Sequence, residues 1–180
     1  RQEYEMANTT FSGPVRSENG FRVITKNATT GAITNGILVG TSGVQYTPVA
    51  LGDSAHALTL ADHAGRVMAV ANVSGDRIIT LPSTFTAGTQ FTFISDSGVT
   101  DDGHDVIISS GSNTRFFLGS VVHLDTNADN LTVVPNRSSN SKLQLNVPGF
   151  FEINVLAKDA TNWYIWGSVC SATVPAFADQ

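Results

Sequence analysis

The sequence predicts an all-β fold, with an extended N-terminal arm followed by an antiparallel β-sandwich or jelly-roll-like domain. Three observations carry this expectation. Turn clusters recur about every 8 to 12 residues, the spacing of short strands in a sandwich or barrel. Sixteen glycines, with abundant Thr and Val, supply turns and residues that suit a pleated surface. No segment keeps apolar residues at helical spacing for three turns.

In chain order, strands are expected near Phe21 to Thr25, Ala55 to Leu60, Arg66 to Ala71, Arg77 to Leu81, Gln90 to Ser95 and Asp105 to Ser109. They continue near Ser120 to Asp125, Leu131 to Val134, Lys142 to Asn146, Phe150 to Ala157 and Asn162 to Val169. The segments SGD, DSGVTDDGHD, SSGSN, TNADN and VPNRSSNS separate them, each rich in residues that accept positive φ or bond their own backbone. In NWYIWGSV the period of two puts Trp163 on a face with Ile165, and Tyr164 with Trp166. One Trp in the core and one partly exposed is the favoured outcome.

Strands are dense from about Ser54 onward, whereas earlier apolar residues come in isolated twos and threes. The boundaries are therefore set at residues 1–52 for the arm and 53–180 for the β domain. Within the arm, FRVIT and GILVG are separated by Asn-Gly, Thr-Gly and Ser-Gly punctuation and have no evident sheet partner nearby. Unpaired strands are costly, so the arm is expected to lie along the domain or to add to a sheet of another subunit.

A net charge of −5, with 14% charged residues, describes a surface dominated by hydroxyls and amides. It offers no attraction to phosphate backbones or anionic lipid, so neither nucleic acid nor membrane is an expected partner. No apolar run approaches the roughly 20 residues of a membrane-spanning helix. Cys170 is the only cysteine, which excludes an intramolecular disulfide and a cysteine-based zinc cluster.

Candidate chemistry is sparse. Asp101, Asp102, His104 and Asp105 crowd one acidic loop whose oxygens suit calcium, but the spacing does not match the twelve-residue EF-hand loop. A solvated hairpin is the preferred reading, so no metal or other cofactor is expected. His56 and His63 bracket ALTLADH, with Asp62 beside the second; no serine stands in a Gly-x-Ser-x-Gly elbow. The structural alternative has Asp62 capping a one-turn bend that ends in Gly65. His123, in SVVHLD, reads as a strand residue with a satisfied ring nitrogen. Glu152 is the lone glutamate of the β domain, so the paired carboxylates of glycoside cleavage have no obvious source. The Asn-x-Ser/Thr triplets at Asn8, Asn27, Asn72, Asn130 and Asn136 are expected by chance in a chain so rich in these residues. The expectation is a protein that is not an enzyme.

Four pieces taken together carry a resemblance: the leader FSGPVRSENGFRVI, the block HALTLADHAGRVMAVANVSGDRIITLP, the strand GTQFTFI, and NWYIWGSV with its VPAFAD tail. Their order is similar to that of small β-rich bacteriophage virion proteins, the capsid decoration or cement proteins, from about Phe11 to Phe177. The resemblance implies a homotrimer on the outer surface of the capsid that stabilises the head and has the major capsid protein as partner. Some proteins of similar texture are head fibres or tail-appendage tips that bind a receptor or glycan, and Asn113, Arg115, Phe116 and Phe117 in NTRFFLG are the residues such a role would use. Within the arm, Phe11, Arg16, Glu18, Phe21 and Arg22 are the expected contacts with capsid and neighbouring subunits, because aromatics and Arg dominate interface energetics.

Overall fold

A computed structural model of the chain describes residues 21–40, 43–44, 47–96, 103–126 and 130–180. The chain divides into two compact units, Arg1–Tyr46 and Thr47–Gln180.

In the first unit, β1 (Phe21–Lys26), β2 (Ile33–Gly40) and β3 (Gly43–Val44) form an antiparallel sheet in the order β1-β2-β3. The expectation that these segments lack local partners is therefore corrected. The turn between β1 and β2 explains the pairing: Asn27 Oδ1 accepts from the N–H groups of Thr29 and Thr30, both at 2.9 Å. Gly31 N–H donates to the Asn27 carbonyl and Asn27 N–H to that of Ala32, which closes the loop. Asn35-Gly36, which has the composition of a turn, lies within β2, and the register shifts opposite it between Arg22 and Ile24.

The second unit opens with β4 (Val49–Leu51) and β5 (His56–Ala57), a helical turn α1 (Leu60–His63), β6 (Val67–Val70) and β7 (Arg77–Thr80). Then come β8 (Gln90–Ser95), β9 (Val106–Ser109), β10 (Phe116–Asp125) and β11 (Leu131–Val133). Last are β12 (Lys142–Leu145), β13 (Phe150–Ala157), β14 (Asn162–Ser171) and β15 (Ala176–Ala178). Residues 47–52, assigned by composition to the arm, belong here, because β4 pairs with β6 and Leu51 is buried in the core.

The unit is all-β with two mixed sheets, ordered β11-β10-β14-β13-β8-β6-β4 and β15-β12-β9-β7-β5. From β4 to β9 successive strands alternate between the sheets: β4, β6 and β8 lie parallel in the first, β5, β7 and β9 parallel in the second. Each pair of strands is one coil of a short, flattened solenoid. The coil-to-coil register is Val49↔Met68 and Val67↔Thr92 in one sheet, and His56↔Ile79 and Arg77↔Val106 in the other. The second half returns on these coils: β12 and β13 pair antiparallel with β9 and β8, and β14 with β13, while β10 runs parallel to β14.

These parallel pairs correct the expectation that the strands are antiparallel throughout. Parallel neighbours need a long crossover. Here a strand in the opposite sheet supplies it, and the intervening turns look in sequence like hairpins.

Both sheets turn their alternate residues into one cluster that includes Met68, Phe91, Phe93, Phe117, Phe151 and Trp163 from the first and Ile79, Ile108, Leu143 and Leu145 from the second. Burying one such side chain fully is worth about 1.5 to 3 kcal/mol, so this shared core is the main source of stability. Trp163 ties the halves together, with ring centroids 4.2 Å from Phe85 and 6.1 Å from Phe91.

Among the coil connections, Thr59, not Asp62, caps α1. Thr59 Oγ1 accepts the Asp62 N–H at 3.2 Å and donates to Asp62 Oδ2 at 2.8 Å. Asp53 joins two connections by accepting from Arg77 Nε at 2.7 Å and from the Ser74 hydroxyl. These bonds, led by that from Ser74, hold the Asp53 carboxyl below its usual range.

Candidate interaction surface

The acidic-loop candidates do not converge as a catalytic or metal-binding group among the described residues. Asp101 and Asp102 lie outside them. Asp105 is used structurally: Oδ1 accepts the Val147 N–H at 3.0 Å, Oδ2 accepts from Gln144 Nε2 at 2.6 Å, and its own N–H donates to Asp76 Oδ1. His104 stands 3.8 Å from Asp76, at a partly exposed position. No cluster of three or more His, Cys, Asp or Glu suited to a metal occurs among the described residues.

Asp62 orients no imidazole, since its carboxylate takes the Thr59 hydroxyl. His63 Nδ1 accepts the Thr59 N–H at 3.0 Å, while His56 Nε2 lies 3.0 Å from the Gly52 carbonyl. His123 is fully buried, with Nε2 3.0 Å from the Ser171 carbonyl, so one ring nitrogen is satisfied. Its Nδ1 has no partner among the described residues.

Phe11, Arg16 and Glu18 lie outside the described residues. Phe21 and Arg22 fall in β1, opposite Val39 and Leu38 of β2, and their backbone alone is described. The NTRFFLG segment is fastened inward. Arg115 donates to the Ser83 carbonyl at 2.7 Å and sits 5.2 Å above the Phe85 ring, Phe117 is buried, and Phe116 is half-buried. An exposed pair of Phe rings is not what this loop presents.

The exposed aromatics lie on the outer face of the seven-stranded sheet. Alternation in β14 puts Trp163 with Ile165 and Tyr164 with Trp166, as the parity of the sequence predicts; the first pair is in the core, and Tyr164 is 42% and Trp166 43% exposed. Phe150 of β13 is 47% exposed, and Val122 and Leu124 of β10 also face solvent. Cross-strand register orders this face into rows: Leu118, Tyr164 and Leu156; then Ser120, Trp166, Asn154 and Thr92; then Val122, Ser168, Glu152 and Ile94. This grouping of exposed apolar residues makes the face the candidate interaction surface.

The second and third of these rows border an open cleft of about 440 Å³ lined by Ser120, Val122, Glu152, Asn154, Trp166, Gly167 and Ser168. Its polar wall is ordered: Asn154 Oδ1 accepts the Thr92 hydroxyl at 2.7 Å, and Asn154 Nδ2 donates to Glu152 Oε1 at 3.1 Å. Gly167, at φ +149°, lets β14 lie close on β13, where a Cβ would collide with the Glu152 carbonyl oxygen. Sequence parity puts Trp163 and Trp166 on opposite faces without saying which is outward, and the pairing of Trp166 with Asn154 and Glu152 required the register of β13 on β14.

Neither protein-family models nor characterised proteins match this chain.

Proposed function

We propose that the protein is a non-enzymatic structural component of a bacteriophage virion, a decoration protein that binds the outer capsid surface and stabilises the head. The observation that carries this reading is the division of the chain at Tyr46. A β domain with a complete core of its own follows a small three-stranded sheet, which suits a body joined to an attachment module.

In this reading the N-terminal unit replaces the extended arm as the element that meets the shell. Its edge strands β1 and β3 suit strand addition to the major capsid protein, with Phe11, Arg16, Glu18, Phe21 and Arg22 as the contacts. Assembly as a homotrimer would let three modest contacts act at high effective concentration and give tight retention. No nucleic acid, membrane or cofactor takes part.

The test is removal of residues 1–46, a cut that spares every residue of the β-domain core. The truncated protein should remain soluble with a native β spectrum and fail to co-sediment with purified capsids, whereas the full chain binds and raises their rupture temperature. Capsid binding that survives the truncation would remove the N-terminal unit from the mechanism.

A further inference from the structure

We infer that the cleft beside Trp166 is a binding site for neutral sugar residues of a polysaccharide. A pyranose ring has an apolar face of C–H groups and an equatorial belt of hydroxyls, so its site needs an exposed aromatic plane beside fixed hydrogen-bonding groups. The cleft has both. Trp166, 43% exposed, is the aromatic wall, with Val122 extending the apolar side. Beside it stand Asn154, its cross-strand partner, and Glu152, with Ser120 and Ser168 completing the lining.

The polar wall is pre-ordered, which lowers the cost of binding. Asn154 is held through both atoms of its amide, by Thr92 on one side and Glu152 on the other. Glu152 Oε2 makes no bond among the described residues, so it can accept from a sugar hydroxyl. At about 440 Å³ the cleft falls within the range of small-ligand sites, about 300 to 1,000 Å³.

Charge narrows the ligand class. The lining has one carboxylate and no Lys or Arg, so sialylated, uronic or sulfated sugars would meet Glu152 without a compensating cation. This inference does not rest on capsid attachment, because the site lies wholly in the β domain and the two activities are measured separately.

The test uses the full chain and hexasaccharides of glucose, galactose and N-acetylglucosamine, each beside a sulfated counterpart, in calorimetric titrations. At least one neutral series should bind, with its sulfated form weaker by about tenfold or more. Trp166→Ala should weaken binding by at least about tenfold while Trp166→Tyr retains most of it, since a ring plane is what the site uses. Glu152→Gln should narrow the gap between neutral and sulfated sugars.

Light scattering and circular dichroism on each variant separate loss of the site from loss of fold. Absence of binding to every neutral hexasaccharide overturns the inference, as does binding that Trp166→Ala leaves unchanged. If no sugar binds and Trp166→Ala instead lowers the mass of the assembly, the cleft is a contact between copies of this chain.

Discussion

The coils of β4 to β9 and the strands of β10 to β14 share one core but use their outer surfaces differently. In the coils the connections are tied down locally, by Thr59 on Asp62, by Arg66 on the carbonyls of Thr47 and Asp62, and by Asp53 on Arg77 and Ser74. In the second half β10, β13 and β14 are longer, Gly119 and Gly167 hold positive φ within them, and Tyr164, Trp166 and Phe150 are put into solvent. The difference teaches a division of labour within one sheet. Stacked parallel strands make the base, and the strands paired beside them carry the exposed aromatics.

The strongest way to break this comparison is to cut the tie between the halves. Trp163→Ala removes the ring that packs on Phe85 and Phe91, and should cost about 3 to 5 kcal/mol in urea unfolding. A single transition with an unchanged denaturant slope is expected, because both halves bury the same core; two transitions would show that they fold separately. Next in size is Gly167→Ala, which forces a Cβ against the Glu152 carbonyl at a φ that L-residues rarely adopt. A loss of about 2 kcal/mol or more is expected, together with weakened sugar binding, since Gly167 lines the cleft.

Acid should act on both halves together. Asp159 accepts from the Thr161 N–H, and from the Asn162 side chain, the Thr161 hydroxyl and the Asn162 N–H, and its pKa is lowered to about 2. Its folded pKa lies below the unfolded 3.8, so its contribution is complete above about pH 4 and is lost as pH falls towards 2. Asp53, lowered in the coil half, adds a loss of the same sign. Melting temperature should therefore drop as pH falls from 4 to 2, and less steeply in Asp159→Asn; equal slopes would remove Asp159 from the effect. The smallest change is expected from Trp166→Ala, within about 0.5 kcal/mol of the parent in the same urea experiment. Its contrast with Trp163→Ala measures how differently the two faces of one strand are used.

Much of this was legible in the residues. Strand positions followed from alternation and turn chemistry: Gln90 to Ser95 and Phe150 to Ala157 match their predicted bounds, and Trp163 and Trp166 take the faces their parity assigned. Pairing was not legible, because a period of two tells which face a residue occupies and not which strand lies beside it. The connections between coils therefore read as hairpins, and β1 and β2 read as partnerless although Asn27 and Gly31 form the turn that joins them. The site divided in the same way. One strand alone showed that one of Trp163 and Trp166 faces outward, but not which, and Glu152 and Asn154 became neighbours of Trp166 only through the β13–β14 register. NTRFFLG misled because Arg115 turns inward to Ser83 and Phe85, a contact between segments far apart in sequence.

The parallel coils also leave the β domain with an end that can be extended. β4 and β5 both stand at the end of their sheets, and one coil returns to register after 19 residues at Val49↔Met68 and 25 at Val67↔Thr92. A further coil inserted at that end would lengthen both sheets by one strand spacing, about 4.8 Å, and leave the pairing of every later strand intact.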